Sequence, residues 1–470
     1  MSSLGRRSAW ALATVAGVLA AIAAAGRFYE PLATIEWMIL HGRSDFHDAG
    51  DLWDFLVGLR TAIPPIYAAA EIAGLLLLGD IRVPLAIAYY GSLLACFVIA
   101  VDLQHSTGER LASIGLSMVL AAGVTASHVA NPQPYDLYVP ALATVLLALA
   151  LAPPSRWPAW AAVGVALAML ELSRPFMLAG AAILAVPLIR LAARQGRGAI
   201  VALLLPVALL SGGWHAKLLA VHGQLLISDH GAFNVADALA SVGFVVPPPP
   251  MEPEVPGPAG GIWIDLNSDV HARNNAALSR ALLAAIVRHP LAAAEAAGQR
   301  LWLFLTLPAV MFGHDLVAPI LTPYRWLVRI GIVLSLLAFA GLAIRRGWRV
   351  VYDPVGSFLL YSGFVLVSVA VGTAYEEIRL VAELAPTLAL LPLYFRTVLE
   401  PAVARPIAGR ICSTPMPTGS NNLSEALPPP PHESAPRHRP PHASVMVQVG
   451  LLANRVPPPH SVATAPSDPP

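Results

Sequence analysis

The chain has 470 residues, 56% of them hydrophobic and 12% charged, with a formal net charge of +1. A soluble domain carries about 25% charged residues, so this composition excludes an ordinary water-soluble globule and points to many spanning helices rather than a single anchor. No basic block interleaved with aromatics is present, which argues against a nucleic-acid partner.

In chain order, the first apolar run, Ser8 to Ala25, follows Arg6 and Arg7. Its end, Ala23-Ala24-Ala25, has the small residues of a signal-peptide cleavage site. An uncleaved first span with a cytoplasmic N-terminus fits every later run better. Further runs at Pro84 to Val101, Leu111 to Ala126, Leu137 to Leu151, Ala159 to Leu172, Phe176 to Leu191 and Ile200 to Leu210 each approach spanning length. Runs at Trp326 to Ile344, Val355 to Val371 and Leu380 to Tyr394 bring the expected number of spans to ten. The expected fold is therefore an all-α polytopic transmembrane bundle over residues 1–400. With alternating sides, Arg156, the Arg190/Arg194/Arg197 cluster, Arg345/Arg346/Arg349 and Arg396 all fall inside, as the positive-inside rule requires. The run Leu301 to Val317 would break the alternation if it crossed, and is read as interfacial or re-entrant.

Two extracytoplasmic segments are expected, about residues 26–83 and 211–300. The second holds the Pro/Gly-rich stretch Val245 to Gly261, read as a flexible surface loop, followed by helical spacing over Asn274 to Ala297. Residues 401–470 contain 17 prolines and cannot bury enough apolar area to offset the entropy of ordering, so a disordered cytoplasmic tail is expected. Cys96 and Cys412 show no metal-ligand or redox spacing. No P-loop, dinucleotide fingerprint, HExxH or GxSxG is present.

Chemistry is left to the polar residues at the outer surface. Asp45, Asp48, Asp51 and Asp54 recur every third residue and would share one helix face. Crowded carboxylates favour a general base, or a divalent cation held by hard oxygen ligands, over a merely solvated face only if something compensates their charge. An apolar run then starts at Pro64-Pro65-Ile66-Tyr67 and carries Glu71. An interfacial helix there avoids burying the acid in hydrocarbon. Asp136 in Asn131-Pro-Gln-Pro-Tyr-Asp136, Arg174 in Glu171-Leu-Ser-Arg174-Pro175, and Glu376, Glu377 and Arg379 all fall on the same outer side. Singly, each is more often a helix-end charge than a site. Arg174 and Arg379 could hold a phosphate there through charge-assisted hydrogen bonds.

The ordered set SDFHDAGDLW, PPIYAAAEIAGLLLLG, NPQPYDLYVP, GVALAMLELSRPFMLAGAAILAVPL and EEIRLVAELAPTLALLPLYF resembles the GT-C superfamily of membrane glycosyltransferases, over about residues 1–400. The resemblance implies transfer of a sugar from a polyprenyl-phosphate-linked donor to a lipid, glycan or protein acceptor on the outer face of the cell (inner or plasma) membrane. It implies that Asp45, followed by Asp48 and Asp51, activates the acceptor or positions the sugar, that Asp136 stands at the second acid, and that Arg174 and Arg379 hold the donor phosphate. The adjacent Asp-Glu pair common in the first loop of such enzymes is missing here. No metal is predicted. The competing expectation is a non-enzymatic polytopic protein, such as an envelope-lipid flippase or transporter.

Overall fold

A computed structural model describes residues 82–130, 138–174, 177–223, 231–254, 268–306, 318–372 and 383–400, with a few isolated positions before residue 82. The chain divides into two compact units, Met1–Ala404 and Arg405–Pro470, and every described residue belongs to the first. The expected first span and the proline-rich tail lie outside the described residues.

Among the described residues the fold is helical, without strands. Helices α1 (Arg82–Asp102), α2 (Thr107–Ala130), α3 (Tyr138–Leu151), α4 (Trp157–Glu171) and α5 (Met177–Gln195) follow one another along the chain. Pro158 opens α4 in its first turn, where its missing N–H has no intrahelical partner to lose. Gly196, at φ +114°, separates α5 from α6 (Arg197–Val207) in a conformation that side-chain-bearing residues rarely adopt. Pro206 then interrupts the hydrogen-bond ladder, and a π turn, Ala208–Gly212, absorbs the break before α7 (Gly213–His222). The segment expected to leave the bundle at Ser211 is therefore helical as far as His222. Gly212, Gly213 and His215 dilute the apolar pattern there without ending the helix.

Beyond it come α8 (Gly231–Ala240), α9 (Asp269–Arg288) and α10 (Pro290–Thr306). Ser268 caps α9 by accepting a hydrogen bond from the Val270 N–H. The expected single helix over 274–297 is broken at Pro290, and α9 and α10 diverge by 108°. Leu301 to Thr306 forms the end of α10, while the rest of the run expected to be interfacial lies outside the described residues. The proline-rich loop has no regular structure over 247–254, yet it is anchored. Asn274 accepts from the Glu252 N–H and donates to the Glu252 carbonyl and the Glu254 carboxylate, and Arg273 forks onto Glu252 at 2.7 and 2.8 Å.

The chain returns in α11 (Ala318–Arg346), turns at Gly347 (φ +58°) into a 3-10 helix (Gly347–Tyr352), and enters α12 (Pro354–Gly372). Asp353 caps α12, accepting from the Val355 and Gly356 N–H groups at 3.0 Å each. A second 3-10 helix (Ala385–Leu390) precedes α13 (Leu391–Leu399).

Among the described residues, four helices are long and apolar enough to cross a membrane: Met177–Gln195, Arg197–His222, Tyr324–Tyr352 and Pro354–Gly372. The bent α9–α10 pair would make a fifth if it is one span. Several other runs expected to span form helices too short to cross alone: α3, with 14 residues, is about 21 Å long against a hydrocarbon core of about 30 Å. One continuous core includes the fully buried Trp160, Phe358, Tyr361 and Tyr394. The outer surface carries large apolar side chains such as Met118, Val201, Leu209, Trp302 and Ile344, all exposed, an arrangement that suits lipid and not water.

Polar contacts between distant segments join residues at matching helix ends. At one end Arg396 donates to Glu109, Trp160 to Gln195, and Arg345 to the carbonyls of Val398 and Glu400. At the other, Arg300 donates to the Ala370 carbonyl and to Ser241. The described helices thus run up and down between these two ends.

Candidate functional site

At the end of the bundle opposite Glu109 and Arg396, α4 finishes in a turn that buries three polar residues, Glu171, Ser173 and Arg174. Two couples hold them. Glu171 Oε1 lies 2.6 Å from His215 Nε2, and Arg174 Nη2 lies 2.6 Å from Glu383 Oε1. Ser173 donates to the Met169 carbonyl within the turn itself.

The partners arrive for local reasons. The π turn of Ala208–Gly212 inserts one residue per turn and rotates the following side chains relative to an unbroken helix, and both α6 and the π turn pack against α4. His215 therefore meets the C-terminus of α4. Glu383 precedes the 3-10 segment Ala385–Leu390, which is wholly buried between α1, α2 and α11, so its carboxylate has no route to water.

The electrostatics follow from burial. The Arg174 and Glu383 side chains are 9% and 0% exposed. An ion pair so placed gains little net stability over an apolar pair, but losing one member leaves an uncompensated charge at a cost of about 3–5 kcal/mol. Glu171 and His215 are 5% and 16% exposed. Their second polar atoms, Glu171 Oε2 and His215 Nδ1, are shielded from solvent and make no hydrogen bond in the structure. If the Glu171 carboxylate accepts from Nε2–H, a neutral imidazole must present Nδ1 as an acceptor. The layer can orient an anion or a hydroxyl only by reorganising these couples.

Of the residues expected to form a site, Asp45, Asp48, Asp51, Asp136, Glu376, Glu377 and Arg379 lie outside the described residues. Only Arg174 is described, and its charge is already matched by Glu383. That changes its expected part: a phosphate at Arg174 must compete with the carboxylate or recruit another cation. His215 and Glu383 were not among the expected residues, although each sits inside an apolar stretch (LLSGGWHAKLLAV and LVAELAPTLALL). An ionisable residue enclosed in that way is a signal in itself.

A second polar group lies on α8 and α9. His271, fully buried, stacks on Phe233 with ring centroids 5.4 Å apart, while Asn275 accepts from the Ala232 N–H. His222, at the end of α7, pairs with Asp269 at 3.1 Å. With Asn274 and Arg273 these contacts fasten the module together, and their role is structural. Among the described residues, no three His, Cys, Asp or Glu side chains are grouped to hold a metal ion.

Comparison with protein families, curated proteins and solved structures yields no match for this chain.

Proposed function

We propose that the chain is an integral-membrane glycosyltransferase that moves a sugar from a polyprenyl-phosphate-linked donor to a lipid, glycan or protein acceptor at the membrane edge. The observation that carries this reading is the buried layer of Arg174–Glu383 and Glu171–His215, set at one end of helices able to cross a bilayer. Charges enclosed at that depth are costly and need a purpose. A donor that diffuses within the bilayer would deliver its phosphate to such an edge.

In this reading the acceptor oxygen attacks the anomeric carbon, the bond from that carbon to the phosphate oxygen breaks, and polyprenyl phosphate leaves with the electron pair. Asp45, Asp48 and Asp51 activate the acceptor or hold the sugar, and Asp136 stands as the second acid. Arg174 and Arg379 meet the phosphate. Glu376 and Glu377 bind the substrate. The reading places the site on the outer face of the cell membrane, with about ten spans and the N-terminus inside.

The test is sugar transfer in liposomes from polyprenyl-phosphate hexose and pentose donors, comparing the wild-type chain with Asp45→Asn, Asp48→Asn, Asp51→Asn and Arg174→Gln. Transfer by the wild type, with loss in at least one aspartate variant and in Arg174→Gln, supports the assignment. Full transfer by every variant would remove it.

One observation favours a second reading, a flippase or transporter. His215 lies in a helix long and apolar enough to cross, just after a π turn, and pairs with a buried glutamate. Interrupted spans with buried ionisable groups suit proton-coupled movement. Movement of a labelled polyprenyl-phosphate lipid across acceptor-free liposomes, driven by a pH gradient and lost in His215→Gln, would support this reading instead.

A further inference from the structure

The end of the bundle opposite the Arg174 layer carries a concentrated positive charge that the proposed function leaves unused. Arg190 and Arg194 occupy the last turns of α5, Arg197 begins α6, and Arg345 and Arg349 flank the turn at Gly347; all five are exposed. The sequence separates these groups by about 150 residues, but the fold joins them. The 3-10 helix Gly347–Tyr352 packs on α5, and the Arg190 guanidinium lies 5.1 Å from the centre of the Tyr352 ring. Trp348, 70% exposed, meets Tyr352 edge-on with ring centroids 5.4 Å apart.

The acids at this end are largely committed elsewhere. Asp353 pairs with Arg346 and caps α12, Glu109 pairs with Arg396, and Glu400 lies 3.8 Å from Arg396. No acid pairs with any of the five arginines among the described residues. The patch also sits where two helices able to cross a membrane end, α5 at Gln195 and the helix spanning Tyr324–Tyr352. That is the depth of lipid headgroups, where an exposed Trp is at home and guanidinium forks meet phosphodiesters.

We infer that Arg190, Arg194, Arg197, Arg345 and Arg349, with Trp348, form a binding site for the headgroup of an anionic phospholipid. Charge complementarity decides the occupant. A zwitterionic headgroup brings its own cation and gains little from five arginines, whereas a net-negative phosphodiester gains from each of them. At about 1 kcal/mol per arginine near an anionic surface, neutralising one lowers the preference about fivefold.

The test uses the full chain in vesicles containing phosphatidylglycerol and phosphatidylcholine, with either one dibrominated as a contact quencher of tryptophan fluorescence. The signal of Trp348 is the difference between the wild type and Trp348→Phe. Brominated phosphatidylglycerol should quench it more strongly than brominated phosphatidylcholine at equal mole fraction. In the variant with Arg190, Arg194, Arg197, Arg345 and Arg349 all changed to Gln the two lipids should quench alike. Equal quenching in the wild type, or a preference that survives in the quintuple variant, would overturn the inference. So would selective displacement of phosphatidylglycerol by millimolar inorganic phosphate, which would mark a site for the free anion. Because the readout involves no sugar transfer, the outcome is independent of the proposed activity.

Discussion

Glu383 has a side chain with no exposed surface, and the guanidinium of Arg174 lies 2.6 Å away. The two residues form one buried couple and should behave as a unit. Arg174→Gln or Glu383→Gln alone should each destabilise the folded chain by about 3–5 kcal/mol, because each removes one member of a buried ion pair. The double variant should lose less than the sum, with a coupling of about 1–3 kcal/mol. Thermal unfolding of the four proteins in one detergent measures this cycle. Additive losses would mean that the couple is incidental. The sequence marks Arg174 through the Arg-Pro break between two apolar runs, but nothing local reveals that Glu383, more than 200 residues later, cancels its charge. His215 is hidden for a different reason: a run of small and polar residues around a π turn reads as the end of a helix.

At the scale of the elements, close approach of backbones sets what can change. Gly164 on α4 faces the Leu203 carbonyl of α6, and a Cβ built there collides with that backbone oxygen. Gly164→Ala should therefore cost about 1–3 kcal/mol through forced separation of two helices. Gly115 on α2 meets nothing within 4 Å, so Gly115→Ala should be neutral or stabilise slightly through the lower entropy of the unfolded chain. Melting temperatures of the two variants against the wild type make the comparison. Helix ends offer a pH test. Burial pushes the Glu109 carboxyl upward, but the backbone N–H groups of His105 and Ser106 and the Arg396 guanidinium outweigh it and hold the group below its ordinary value of 4.5. A carboxyl depressed in the folded state adds stability above its unfolded pKa, and that addition is lost as pH falls through the folded value. The melting temperature should fall on acidification below about pH 4.5, and Glu109→Gln should flatten part of that dependence. Most of these helices are legible as apolar runs bounded by Arg, Pro or Gly. The 3-10 geometry at Ala385–Leu390 is not, because tertiary packing and not periodicity selects it, whereas the bend at Pro290 is signalled by the proline itself and escapes only the apolar spacing.

For the whole molecule, the question is whether the two polar ends face opposite sides of a membrane. The composition points to a membrane protein, and the positive-inside rule leads one to expect the arginine-rich turns on one side. In the structure, Glu109 with Arg396 and Gln195 with Trp160 meet at one end, while Glu171 with His215 and Arg300 with Ala370 meet at the other. Up-and-down helices whose ends pair in this way separate the two groups by the thickness of the bundle. Thr107, the first residue of α2, and Val245, after α8, are both exposed and lie at opposite ends of this scheme. In a chain whose Cys96 and Cys412 are replaced by Ser, Thr107→Cys and Val245→Cys should react with a membrane-impermeant thiol reagent from opposite sides. Intact cells should label Val245→Cys, and inverted vesicles Thr107→Cys. Labelling of both from one side would mean that the helices between them do not carry the chain across, and the polar layer at Arg174 would then lose its place at a membrane edge.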